Sequence, residues 1–387
     1  MFRNTFSSSD NQVLSNSAID FYIRIQEELN VDIGLQKIGY LWLMDEMQIS
    51  RSEPYLGRME ANGVEITRYT RGELEHLLPM MVTGFGADEE AALMSLPPVD
   101  GGIFGKKCGR LDPDKLVRYY AQEFVKAGGK FAFNTDVRML QVGPSNPLGV
   151  EGEPFVWQDH RIDGILAHGN VDETLSAETV ILAGGAWMNE LLEPMGIESH
   201  VKSKKRQLFS VSARGEKLEG LLRTKGFNSL GLAPMIILPK AGVHFKPVSD
   251  EGVFWVACED EVKQPFINLP SHDLQSYHAE MSYYERSVYP ILTSYFPDFR
   301  TSRLKAMWAG LYAYNTVDKL PFAFKDENLI VVGGDSGSGI MKGDSLGRIA
   351  DALYRDETEA VLYGDVSYRV SKVGFENRDV QREEWVI

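Results

Sequence analysis

The residues best placed to do chemistry lie near the carboxy-terminal end. There Gly333-Gly334-Asp335-Ser336-Gly337-Ser338-Gly339-Ile340-Met341-Lys342-Gly343-Asp344 carries five glycines in twelve positions. An apolar run, Asn328-Leu329-Ile330-Val331-Val332, leads into it, and Leu346, Ile349, Ala350 and Leu353 follow at helical spacing. Glycines in a strand-to-helix turn let backbone N–H groups approach a ligand closely, and the helix N-terminus adds a positive partial charge. An anion, or a ring that becomes anionic on reduction, suits such a place; a tight turn with no ligand also uses glycine. Gly184-Gly185, after the apolar Val180-Ile181-Leu182-Ala183, is a second turn of this kind. Two such turns suggest one extended cofactor held from several sides.

Other chemistries have weaker support. Gly334-Asp335-Ser336-Gly337 and Gly343-Asp344-Ser345-Leu346 copy the nucleophile motifs of two hydrolase groups. The first motif belongs to a disulfide-bearing double barrel, the second near the start of its fold, and Ser338 replaces the closing glycine of a serine elbow. Serine hydrolysis through Ser336 or Ser345 is kept as a competing hypothesis. Cys108 and Cys258 stand far apart, and no histidine has a partner at metal-ligand spacing, so no metal site is expected. His244 and Lys246 alternate on a probable strand before Pro247 and would point to one face, either a pocket or an ordinary strand surface.

The elements that position these residues read as mixed α/β. Residues Asn11 to Leu29 pattern as a helix, Gln36 to Leu43 as a strand, and Asp112-Pro113 as an N-cap with proline at the first helical position. A strand from Phe131 to about Val142 follows, and a helix resumes near Trp187 and stops at Gly196. The middle, about Val201 to Pro321, is rich in strand-like segments and is interrupted by one helix from Ser271 to about Phe296. Strand–glycine–helix units around a strand-rich middle imply a Rossmann-like part with a separate antiparallel sheet. The chain has 387 residues, 55 acidic and 40 basic, for a net charge of −15, which argues against nucleic acid as a partner. The basic cluster Lys202, Lys204, Lys205 and Arg206 is expected in a solvated loop. No apolar run is long enough to span a membrane, and the cytoplasm is the expected compartment.

Several segments, in order, resemble the D-amino-acid-oxidase/sarcosine-oxidase family of flavoproteins. Val180 to Trp187 is similar to its V-V-x-A-x-G-A-W strand, and Trp308-Ala309-Gly310-Leu311-Tyr312 with Thr316, Asp318 and Pro321 to its W-A-G-x-Y…T-x-D-x-x-P segment. Gly334 to Gly347 is similar to the G-x-S-G-x-G…G segment that faces the flavin. Gly109 to Pro113 resembles the G-x-x-x-P lead into a helix, and Thr135-Asp136-Val137 the strand that meets the adenine. The tail from Tyr363 and the Tyr314-Asn315-Thr316 variant resemble the branch of FAD-dependent oxidoreductase-domain proteins linked to respiratory-complex assembly.

The resemblance implies FAD held without a covalent bond, because Gly310 stands where flavinylated members carry cysteine. It implies cofactor contacts at Val137, Ala183, Gly184, Gly185, Trp187, Gly310, Gly334, Ser336, Gly337, Gly339, Ile340 and Met341. Arg3 matches the carboxylate-clamping arginine, Tyr312 a pocket hydrogen-bond donor, and Lys342 a cation near the ring. Residues 1–35, 105–200 and 322–387 are expected to form the FAD-binding part, and 36–104 and 201–321 the substrate part. The implied reaction removes hydride beside the amine or hydroxyl of a small carboxylate-bearing molecule. The oxygen-activating lysine of oxidases is replaced near Trp255, which favours a dehydrogenase passing electrons to an acceptor protein. A binding or assembly protein retaining the fold is the alternative. The family opens with G-x-G-x-x-G, and none occurs here before Asn30. The expectation is a mis-called start or a fragment lacking that amino-terminal unit, with FAD bound weakly by the chain as written.

Overall fold

The computed structural model describes residues 1–170, 173–259, 266–267, 278–375, 378 and 380–385. Sixteen named strands form four sheets. The largest contains, in chain order, β1 (Tyr40–Met44), β2 (Ile66–Thr70), β3 (Gly101–Gly105), β8 (Val201–Ser212), β9 (Met235–Ile237), β10 (His244–Val248), β11 (Val253–Ala257) and β12 (Leu304–Asn315). Across the sheet they run β12-β8-β11-β10-β9-β1-β3-β2. A three-stranded sheet pairs β13 (Phe322–Asp326) antiparallel to β14 (Leu329–Gly333), and β14 parallel to β7 (Val180–Leu182). A second joins β4 (Thr135–Pro144), β5 (His160–Gly169) and β6 (Thr174–Ser176), and β15 (Glu359–Leu362) pairs with β16 (Val366–Arg369). The mixed α/β expectation holds.

Period-two alternation gives the large sheet two unlike faces. Leu41, Phe209, Val211, Ile236, Phe245, Phe254 and Val256 point to one side and are buried in a core with Leu292, Phe296 and Phe299. There the rings of Phe245, Phe254, Phe296 and Phe299 pack edge-on, with centroids 5.0 to 6.4 Å apart. The alternate residues Tyr40, Arg206, Leu208, His244, Lys246, Trp255, Ala257, Tyr312 and Tyr314 line a cavity on the other side.

The longer helices are α1 (Ser9–Glu27), α2 (Glu46–Ala61), α3 (Pro113–Lys126) and α4 (Gly343–Tyr354); α2 packs on β1 and β3 of the large sheet, and α4 on α1 and on β13, β14 and β15 of the smaller ones. Asp112 caps α3 through the N–H groups of Asp114 and Lys115, with proline in the first turn as expected. The basic cluster is not a solvated loop. It lies within β8, where Lys204 and Lys205 are buried, and β-pairing to β12 overrides its polar appearance. The expected strand at Gln36 begins at Tyr40. Residues 271–277 of the expected middle helix lie outside the described residues, and helical turns cover Met281 to Tyr295.

The carboxy-terminal tail returns to the amino-terminal segment. The Glu383 carboxylate accepts from the Ser7 N–H at 2.8 Å, the Ser7 hydroxyl at 2.9 Å, the Ser8 N–H at 3.2 Å and Asn11 Nδ2 at 3.0 Å. It thereby supports the entry to α1, whose N-cap is Ser8. Arg378 pairs with the nearly buried Asp318 at 2.6 Å and donates to the Val373 and Pro321 carbonyls. Glu383→Ala is expected to lower unfolding free energy by about 3 kcal/mol, since it strands several buried donors that shared one charged acceptor. Denaturant midpoints at constant slope would measure it, and an unchanged midpoint would contradict this role for the tail.

Candidate active site

The glycine stretch sits where the small and large sheets meet. β14 ends at Gly333, and the chain then turns with positive φ at Gly334 (67°), Ser336 (49°) and Gly337 (85°) before α4 begins. Two bonds fasten this loop to β12: the Ser336 N–H donates to the Ala313 carbonyl at 3.0 Å, and the Asn315 N–H to Ser336 Oγ at 3.0 Å. A Cβ on Gly337 would stand 2.1 Å from the Tyr312 ring, and one on Gly339 would meet the Asp335 carboxylate. Glycine is therefore required here by packing as well as by backbone conformation.

Between this loop and the polar face of the large sheet lies a cavity of about 300 Å³. Arg3, Phe6, Ser336, Gly337, Ile340, Met341 and Glu383 wall one side, with Arg206, His244, Lys246, Trp255, Glu259 and Tyr312 opposite. Two grooves of about 360 Å³ each flank β7. Ala183, Gly185 and Gly339 line one; Val137, Ala183, Gly184 and Trp187 line the other. Gly334 lies behind the loop against Phe322 and Asn315. The fold thus brings the two glycine turns to adjoining hollows.

Burial governs the electrostatics. Lys342 is fully buried and reaches Ser338 Oγ at 2.6 Å, with its ammonium 4.7 Å from the Phe6 ring. Desolvation brings its pKa down to about 7, against the attraction of Glu383 and Asp335. It stands directly behind the loop, neither solvated nor on the cavity surface. Burial likewise lowers His244 to about 4 and Lys246 to about 8, and raises Tyr312 and Asp335. His244 is therefore neutral near pH 7, while Lys246, over the Trp255 ring at 4.1 Å, remains largely charged. Arg3 is buried at the wall. Its guanidinium donates to the Thr5 carbonyl and to the Trp385 carbonyl at 2.9 Å and lies over Phe6 at 4.1 Å.

Neither serine is arranged for nucleophilic chemistry. Ser345 is fully buried and donates to the Leu14 carbonyl, and the Ser336 hydroxyl is bonded to Asn315 N and the Gly334 carbonyl. Among the described residues no group of three or more His, Cys, Asp or Glu is placed to hold a metal, and no helix is long and apolar enough to cross a membrane. Reading the sequence alone missed Arg206 and Glu259 on the sheet and Glu383 at the rim. Alternation along β8 could have revealed Arg206; the fold alone brings Glu383 there.

Two observations bear on whether an elongated ring-bearing cofactor fits. A Cβ built on Gly185 or Gly310 meets no atom of the described residues within 4 Å, so space among them faces both glycines. The Trp187 Nε1–H, beside the groove lined by Val137 and Gly184, is buried without an acceptor among the described residues. An orphaned donor and cradles without side chains are what a dinucleotide-sized ligand would use.

The family described as FAD dependent oxidoreductase matches residues 1–353. The FAD-dependent oxidoreductase domain-containing protein 1 of Xenopus laevis is 22% identical over 378 residues, which cover 92% of this chain and 69% of that protein. Among solved structures, L-proline dehydrogenase from P. horikoshii superposes with a TM-score of 0.69 at 17% identity, over 92% of this chain and 82% of the other. Glycine oxidase from Geobacillus kaustophilus does so at 0.65 and 18%, over 91% and 80%.

Burying neutral Lys342 sets a sign for pH dependence. Its folded pKa of about 7 lies below its ordinary 10.5, so between those values the unfolded chain binds the extra proton. Its contribution to stability therefore rises with pH across that window and is flat below it. The stability difference between wild type and Lys342→Met is expected to shift in favour of wild type from pH 7 to 10, as followed by denaturant titration. A difference independent of pH would contradict the burial of this amine.

Proposed function

Since this chain belongs to the FAD dependent oxidoreductase family, we propose that it oxidises a small amino, imino or 2-hydroxy acid in the cavity between the glycine loop and the large sheet. The observation that carries this reading is the meeting of the two glycine turns beside a desolvated, cation-rich hollow. Gly184, Gly185, Trp187, Ser336, Gly337, Gly339, Ile340 and Met341 would hold FAD, with Val137 at the far groove and Gly310 across the cavity. Bound there, FAD supplies the hydride acceptor.

The chain's own groups bind and orient. Tyr312, un-ionised by burial, offers a hydroxyl to the cavity. Arg3 and Lys246 make the surroundings positive, which favours a carboxylate and stabilises negative charge developing on a reduced ring. Neutral His244 is fixed by its contact with the Gly242 carbonyl at 2.8 Å and so adds an imidazole without a charge. The apolar surfaces of Leu208, Trp255 and Met235 exclude water from the carbon that loses hydride. The solved relatives named above include a dehydrogenase and an oxidase, so the fold accommodates either acceptor. We favour a dehydrogenase, because no lysine follows the oxidase pattern at Trp255 itself.

The test is anaerobic mixing of FAD-loaded protein with proline, glycine, N-methylglycine and lactate, following the visible flavin band. At least one is expected to bleach it, with electrons then passing to an artificial acceptor at least about tenfold faster than to oxygen. Persistent colour with every compound would contradict the proposed reaction, and faster reoxidation by oxygen would reverse the choice of acceptor. Acid precipitation should release all the yellow colour, because Gly310 offers no thiol for attachment. Colour retained in the washed pellet would show a covalent link elsewhere.

A further inference from the structure

Arg206 is a cavity cation with buried donors left unsatisfied among the described residues. It projects from β8 opposite Gly310 of β12, and its side chain is nine-tenths buried. Nη2 donates to Glu259 at 3.3 Å, and the guanidinium carbon lies 5.5 Å from the centre of the Tyr312 ring. Nε and Nη1 are buried and have no hydrogen-bond partner among the described residues. These two nitrogens carry three of the five N–H donors of a guanidinium. A charged group held this way out of water is costly unless a ligand completes its bonding. The space at Gly310, where a built Cβ meets no atom of the described residues, lies on the same face of the sheet.

The neighbouring cations are otherwise committed. Arg3 gives both Nη atoms to backbone carbonyls, Lys342 donates to Ser338 behind the loop, and Lys246 lies on the face of Trp255. We propose that Arg206 binds the carboxylate of the substrate, in the space left open by Gly310, and that Glu259 beside it restricts the ligand to monocarboxylates. A carboxylate takes N–H donors from a planar guanidinium pairwise, which orients as well as binds. Glu259 repels a second carboxylate and attracts an amino group, so the matched class is a small amino or imino acid. Gly310 keeps the approach clear, which gives that position a reason to lack a side chain. The assignment rests on the reading of this cavity as the substrate site.

The test uses FAD-loaded protein and two non-reacting probes of one shape, cyclopentanecarboxylate and cyclopentanecarboxamide. Trp255 and Trp308, in contact at 5.0 Å on the same sheet, supply a fluorescence signal for titration. Wild type is expected to prefer the carboxylate by about tenfold or more, as a charge-assisted pair requires. Arg206→Lys should lose most of this preference and Arg206→Met all of it. Gly310→Val should block both probes with Arg206 intact and flavin retained, and flavin absorbance and thermal midpoints recorded alongside report cofactor content and folding of each variant. Retained preference in Arg206→Met, or equal binding of both probes by wild type, would overturn the assignment. Failure of the oxidoreductase reading is separate: the flavin would stay oxidised with every amino, imino and hydroxy acid while the Arg206-dependent preference persisted.

Discussion

The contact between Gly337 and the ring of Tyr312 sets the spacing on which the site depends. A side chain at residue 337 would push the glycine loop away from β12. The hydrogen bonds from Ser336 to Ala313 and from Asn315 to Ser336 would then lose their geometry. Because the loop also opens α4, its position fixes the helix N-terminus and the buried amine of Lys342 behind it. The cavity is the gap left between a loop that cannot approach β12 more closely and a sheet face that cannot fill it with apolar side chains.

The sheet's two faces explain why that gap is polar and yet desolvated. One face spends its residues on the large aromatic core, the largest apolar cluster among the described residues. The alternate face carries Arg206, His244 and Lys246 among Leu208, Trp255 and Tyr312. These charges are shielded from water by the glycine loop and the amino-terminal segment. Desolvation then lowers the pKa of each amine and imidazole, so the site holds positive charge at a cost that an anionic ligand relieves. The tail completes the enclosure, with Glu383 joining the entry of α1 and Trp385 holding Arg3 through its carbonyl.

The parts legible in the sequence were those with local signals. The glycine stretch, the Gly184-Gly185 turn and the α3 start each depend on backbone rules within a few residues, and the folded chain shows them as read. Alternation of His244 and Lys246 also placed both on one face, which is the cavity face. The basic run at Lys202 to Arg206 misled because charge usually means solvent. Its pairing to β12 is set by residues about a hundred positions away, which place Gly310 opposite Arg206. Glu383 was illegible for the same reason, since its partners Ser7, Ser8 and Asn11 lie at the other end of the chain. Arg3 matched a carboxylate clamp by resemblance, and it is buried with its guanidinium bonded to backbone carbonyls.

The central claim is that the polar sheet face and the glycine loop enclose the reacting end of the cofactor. The structure of the FAD complex, solved by crystallography, tests this most directly. The account predicts ring density against residues 336–341, facing Tyr312 and Arg206, with the rest of the molecule running past Gly185 and Trp187. A ring bound outside β7, with the cavity filled by rearranged side chains, would contradict it.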